Sequence, residues 1–336
     1  MSLQSIGDLA QSFLIRSRTA QVKSELQRHN TELSTGRVAD IAETLRGDFT
    51  GLSAIEHGST QASAFSETIR ETVIHVDGMQ DRLGAIAEDG ARVASQLATA
   101  LDGAPPGIVD SVASIGAGAF DSGVANLNAR VAGRALFAGA ASGGPALAPG
   151  AEILAALSAD TAAAETPAEL ETAVMEWFEV PGGGFDTHAY RGSGTETGPA
   201  SLSESESMTL PGSAASPEMR RHLAGLALAA LVDDGAFSGD TRARSETLRR
   251  AGQKLSESQP GIVAMSAKLG TAEARIETIR VRNTAESAAL EMAREELIGI
   301  DPYDAAVRLE QARSRVEMMF ALTARLQRLN FSEHLR

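Results

Sequence analysis

Apolar residues in the last third of the chain recur in alternating steps of three and four: Ile262, Met265, Leu269, Ala272, Ile276, Ile279, Asn283, Glu286, Leu290, Ala293, Leu297 and Ile300. This spacing is a heptad seam, the stripe along which one helix buries itself against another. A helix carrying it is about 58 Å long at 1.5 Å per residue and needs a cover of similar length. The first third supplies one, because Ile69, Val73, Val76, Gln80, Leu83, Ala87, Gly90, Ala94, Leu97 and Leu101 follow the same alternation. Spacing alone leaves open whether the two helices run parallel or antiparallel. Gln80, Asn283 and Glu286 put polar groups into the seams. They either fix the register at some cost in stability or turn to water as a 3.6-residue period drifts from 3.5.

The chain ends carry further stripes. Asp301 followed by Pro302 offers a cap and then a proline at the first helical position, with Asp304 in the first turn, so a new helix is expected there. It presents Leu309, Ala312, Val316, Met319, Phe320, Leu326 and Leu329, more apolar surface than a lone terminal helix can bury. At the other end Ile6, Leu9 and Phe13, then Ile15, Val22, Leu26 and Leu33, make a weaker stripe. Ile6, Leu9, Phe13, Val316, Met319, Phe320, Leu326 and Leu329 are therefore the candidate assembly interface; the competing reading is ordinary core. The candidate intramolecular seam is Ile69, Val73, Val76, Leu83, Leu97, Ile262, Met265, Leu269, Ile276, Ile279, Leu290 and Leu297.

Between these regions the pattern changes. Thr166-Pro167-Ala168-Glu169 is a capping box with proline at the first helical position, and Leu170, Val174 and Trp177 then share a face. Residues 180–210 are rich in Gly and Ser with isolated apolar positions, which predicts short strands separated by turns. Ser216-Pro217-Glu218 starts another helix carrying Leu223, Leu226, Ala227, Ala230 and Leu231. The expected fold is mainly α. Residues 1–138 and 239–336 form the two halves of a long helical-bundle or coiled-coil rod, and 139–238 form a small inserted α+β domain.

Composition removes several function classes. A net charge of −14 over 336 residues opposes binding to nucleic-acid phosphates and to anionic membrane surfaces. There is no Cys, hence no disulfide or thiol chemistry, and aromatics are 4%, so a large aromatic core is not expected. Residues 1–30 lack the pattern of a cleavable signal peptide, and no stretch approaches the length of a membrane span.

Candidate chemistry is sparse. The six His, at 29, 57, 75, 188, 222 and 334, have no metal-ligand spacing. Glu295-Glu296 and Asp233-Asp234 are adjacent, so on a helix their carboxylates diverge. Gly182-Gly183-Gly184 and Gly192-Ser193-Gly194 lack phosphate-loop or dinucleotide spacing and read as turns. Arg242, Arg244, Arg249 and Arg250 surround Glu246 and read as a charged helix face. No enzyme class, cofactor or metal is expected.

Several segments resemble the bacterial flagellin family. Glu32-Leu33-Ser34-Thr35-Gly36-Arg37 with Ala39-Asp40-Ile41-Ala42 is similar to the turn after the first flagellin helix. Leu269-Gly270, Arg275-Ile276, Asn283-Thr284 and the bend Asp301-Pro302-Tyr303-Asp304-Ala305-Ala306 resemble the other end. In the centre, Asn128-Ala129-Arg130-Val131-Ala132-Gly133-Arg134-Ala135-Leu136-Phe137-Ala138-Gly139 resembles the hook-filament junction branch of that family, with Ala135 where the pattern usually has Tyr. Tyr190-Arg191-Gly192-Ser193-Gly194 and Ala215-Ser216-Pro217-Glu218-Met219-Arg220 point the same way. Asp40 stands alone where flagellins commonly carry a second Asp, a mark of a divergent branch.

The resemblance implies a structural subunit exported unfolded through the flagellar type III apparatus by an uncleaved signal. Its implied partners are copies of itself, the first hook-associated protein and flagellin, with an export chaperone as a further candidate. The competing readings are a flagellin filament subunit and a coiled-coil module with a ligand-binding insertion.

Overall fold

The computed structural model describes residues 2–99, 103–194 and 198–333, with side chains at 10, 13–99, 103–194 and 198–325. The order of elements is α1 (Ser2–Thr35), α2 (Ile41–Thr44), α3 (Thr50–Leu97), α4 (Pro106–Leu127), β1 (Arg130–Val131), β2 (Arg134–Ala135), α5 (Gly150–Asp160), α6 (Pro167–Glu179), β3 (Ala200–Ser201), β4 (Ser207–Met208), α7 (Pro217–Asp233), α8 (Thr241–Ile298) and α9 (Pro302–Glu333). The fold is mainly α, and the strands form two antiparallel hairpins. Among the described residues no helix is long and apolar enough to cross a membrane.

The chain divides into two compact units, residues 64–283 and the pair of segments 1–63 and 284–336. These units cut across the three zones set by composition, because the middle of the chain shares a core with the helices that flank it.

In the unit 64–283, α7 is buried along nearly its whole length, from Met219 to Val232. Its run Leu223-Ala224-Gly225-Leu226-Ala227-Leu228-Ala229-Ala230-Leu231-Val232 has no polar face and requires neighbours on every side. α4 and α6 supply two of them. Small residues set the close approaches: Gly116 of α4 lies against Ala229, Gly225 of α7 against Leu255 of α8, and Gly252 of α8 against Ala94 and Leu97 of α3. The resulting core cluster runs from Ile69 to Ile279.

The helix starts read from the sequence are present. Thr166 Oγ1 accepts a hydrogen bond from the Glu169 N–H at 3.3 Å, while Glu169 accepts from the Glu165 N–H at 2.9 Å. Asp301 accepts from the backbone N–H of Tyr303 at 2.7 Å and of Asp304 at 3.4 Å.

The stretch 180–210 departs from the expected strands. Phe185–Ala189 is a single π-helical turn, Tyr190 makes an isolated bridge to Leu147, and among the described residues of the stretch the paired strands are β3 and β4. Asp186 holds the turn by accepting from the Gly182 N–H at 2.7 Å, and the ring of Phe185 is buried between Phe178 and Tyr190. With Trp177 these rings form a continuous aromatic chain, a local gathering that the low aromatic content did not lead us to expect.

In the other unit, α1 and α9 pack antiparallel. The Lys23 ammonium sits 5.3 Å from the Phe320 ring centre, and Glu25 lies 3.5 Å from Arg315. Gly36, at φ 71°, ends α1 in the left-handed conformation that glycine reaches without strain.

Candidate assembly interface

The seam is built by α3 and α8, which run antiparallel. In the unit 64–283, Ile69, Val76, Leu83, Leu97, Ile262, Met265, Leu269, Ile276 and Ile279 are buried and Val73 is half-buried. Register is fixed by Gln80, whose Nε2 donates to the Ser266 carbonyl at 3.1 Å while the Ser266 hydroxyl donates to Gln80 Oε1 at 2.7 Å. Asn283 is also buried, whereas Glu286 faces water. The two readings of the polar seam positions thus divide by residue.

In the unit 1–63/284–336 the pairing loosens. Leu290 is half-buried and packs on Gly58, the small partner that lets it approach. Leu297 lies against Gly51 of α3, on the seam side, but is 36% exposed, and its neighbour Ile298 is buried. Over the heptad from Leu290 to Leu297 the stripe drifts by only about 20°, and α8 ends at Ile298, where the chain turns. That turn joins the segment around Gly36 to the start of α9. Arg37 bridges Gly299, Val38 N–H donates to the Ile298 carbonyl at 2.9 Å, and Ile300 N–H donates to the Gly36 carbonyl at 3.1 Å. Gly299 has no room for a side chain, since a Cβ there would run into Glu295. His29 and the Ala39 N–H bond to Glu32 beside the turn. Partial burial would raise the Glu32 pKa, but these bonds and the charges of His29 and Arg28 leave it below its ordinary value.

The terminal helices hold the candidate interface. Phe13 is 71% exposed and Phe320 51%, while Val316 and Met319 are half-buried. Ile6, Leu9, Leu326 and Leu329 lie outside the residues whose side chains are described. On α9, Ala305, Ala312, Val316 and Met319 share the more buried side. Tyr303, Val307, Met318 and Leu322 fall within an arc of about 100° on the opposite side and are all exposed, Tyr303 at 76%. Sequence reasoning missed this second stripe, although its spacing at 303, 307, 318 and 322 was readable as a helical face.

The central motif residues act as joints. Asn128 imitates a strand partner: its Nδ2 donates to the Leu147 carbonyl at 3.0 Å and its Oδ1 accepts from the Leu147 N–H at 2.8 Å. Ala132 and Gly133, at φ 49° and 79°, make the tight turn between β1 and β2. Leu136, Phe137 and Ala138 are then buried. Gly192 sits against Tyr190 and the Ala138 carbonyl, where no Cβ fits.

Arg220 draws three segments together. It donates to the Ala215 carbonyl at 2.8 Å and the Phe178 carbonyl at 3.2 Å, pairs with Asp186 at 2.5 Å, and lies 4.5 Å from the Phe185 ring centre. Partial burial would raise the Asp186 pKa, but Arg220 and the Gly182 N–H hold it below its ordinary value.

The arginine cluster is internally compensated. Arg249 and Arg250 pair with Glu246, Arg250 also with Glu171, and Arg244 with Asp110. Among the described residues no His, Asp and Glu group could hold a metal ion. The fold and this surface define a mainly α chain whose two ends pair with each other and expose apolar stripes. No family model and no curated protein matches the chain.

Proposed function

We propose that the chain is a structural subunit of the bacterial flagellum, an adaptor of the hook-filament junction type that works by helical self-assembly. One observation carries this reading. α9 is apolar on two opposite sides, and the side bearing Tyr303, Val307, Met318 and Leu322 lies open while α1 packs against the helix. A helical tube repeats contacts that never close pairwise, so each subunit needs separate complementary faces. In this account the paired chain ends form a coiled-coil rod, and the seam spreads mechanical load over many weak contacts. The open stripes meet other copies, the first hook-associated protein and flagellin. The role is mechanical, with no catalytic step, and the subunit acts outside the cell after type III export.

Electron microscopy of cells from which the gene has been removed tests the role. Intact hooks without filaments, with flagellin shed into the medium, are expected. Normal filaments on those hooks would overturn it.

A further inference from the structure

Helices of the unit 64–283 carry their weakest points at one level. Between the buried Leu255 and Ile262, α8 runs Ser256-Glu257-Ser258-Gln259-Pro260-Gly261, with no branched apolar side chain. Pro260 lies inside the helix. It has no N–H, so the Ser256 carbonyl loses its helical donor, and the proline ring crowds that carbonyl. The Ser256 hydroxyl donates to the Gly252 carbonyl at 3.0 Å, a type of bond that often bends helices. Gly261 follows and has no room for a side chain, because a Cβ would lie 2.9 Å from Glu218 Cγ.

The facing helices are thinned at the same level. A Cβ on Gly90 of α3 would run into His222 of α7 and Gln259 of α8, and Gly123 of α4 lies against Leu223 and Leu226 of α7. The groups that fill the layer are polar. His222 Nδ1 lies 3.2 Å from the Ser258 hydroxyl, which itself donates to the Leu255 carbonyl at 2.8 Å. Gln259 Nε2 is buried with no hydrogen-bond partner among the described residues. A notch of about 10 Å³, lined by Gly90, Gly123, Asn126 and His222, remains between the helices. On one side of the layer Leu83, Ile262 and Met265 are buried, and on the other Val93, Leu97, Leu248 and Leu255. Interdigitated apolar layers resist deformation, whereas a layer of polar side chains, glycines and a broken helix bond gives first.

We propose that this layer is a hinge, at which the bundle bends about Pro260 and Gly90 while the apolar blocks on either side keep their own packing. The inference does not depend on the assembly role.

The chain contains no Cys, so introduced cysteine pairs can be spin-labelled without background. Gln253 and Ala267 are exposed and flank Pro260 on one face of α8, and Ala267 and the exposed Val281 make an equally spaced control. Each pair spans about 21 Å of straight helix. A kink of about 20° at Pro260 lengthens the first distance by about 3 Å for labels about 8 Å from the helix axis. Electron–electron distance measurements on the full-length chain should therefore give a Gln253→Cys/Ala267→Cys distribution broader than the Ala267→Cys/Val281→Cys control by about 3 Å. Adding Pro260→Ala should narrow it to the control width. The same substitution alone should slow hydrogen exchange at residues 88–92 of α3 by about tenfold, a change that a kink confined to α8 would not produce. A distribution as narrow as the control, a breadth that Pro260→Ala leaves unchanged, or unaltered exchange around Gly90 would each overturn the proposal.

Discussion

The two units of this chain use the same kind of residue in opposite ways. In 64–283 the apolar side chains close into one core, with α7 buried on every side and glycines placed wherever two backbones must approach. Among the described residues of 1–63/284–336 that core has no counterpart. Among the described side chains the buried apolar ones there are Leu52, Ala62, Ile298, Ala305 and Ala312, mostly small, while Phe13, Tyr303, Met318, Phe320 and Leu322 face solvent. A region that is apolar by composition but open by structure has stabilisation in reserve for contacts outside the chain. The proposed assembly would bury that open surface.

Substitutions should separate the two behaviours. The largest effect is expected from Leu255→Ala, which removes a fully buried side chain beside Gly225. It should cost about 2–5 kcal/mol in urea unfolding, and a loss below 1 kcal/mol would show that the core around α7 is not closed.

Acid should act on the same unit. His222 is buried, with Nδ1 3.2 Å from the Ser258 hydroxyl, and burial lowers its pKa to about 4. The unfolded chain therefore takes up this proton at higher pH than the folded one. The His222 contribution is complete above pH 6.5 and falls away as pH drops toward about 4. The loss should be on the order of 3 kcal/mol. His75, shifted the same way, adds to it. Glu171, Asp186 and Glu246, whose values are also lowered, contribute stability that is lost only below their ordinary values of 4.5, 3.8 and 4.5. Unfolding free energies measured at intervals across pH 4.5–6.5 should show a slope that His222→Gln reduces by about half or more; an unchanged slope contradicts the assignment.

Arg220→Ala should cost about 2 kcal/mol, since it frees Asp186 and two carbonyls around the aromatic chain. Equal stability in thermal unfolding would mean that this joint is not structural. The smallest effect on the folded chain belongs to the open unit. Phe13→Ser should leave the unfolding free energy within about 0.5 kcal/mol, because its ring is already exposed. A larger loss would mean that the ring packs inside the monomer.

How much of this was legible in the sequence depended on whether a feature was periodic or assembled. The heptads gave the seam through Ile279, and Asp301-Pro302 and Thr166-Pro167 gave helix starts, because both signals are local and repeat-based. Leu297 keeps its place against Gly51 but stays partly open at the end of the seam, which spacing alone does not show. The π-helical turn at Phe185–Ala189 escaped because it is held by Asp186 and by an aromatic cluster drawn from three segments. The antiparallel sense of α3 and α8 also needed three dimensions, as Gln80 and Ser266 lie 186 positions apart. On α9 the expected stripe was found through Val316 and Met319, while the opposite stripe at Tyr303, Val307, Met318 and Leu322 was overlooked because two apolar faces share one helix.

The most direct test of the account is co-sedimentation of the purified full-length chain with isolated hook ends and flagellin. It should be run beside a variant carrying Tyr303→Ser, Met318→Ser and Leu322→Ser. The wild type should bind, and the variant should not, while both keep the same circular dichroism and unfolding midpoint. Equal binding by the variant would contradict the claim that the open face of α9 carries assembly.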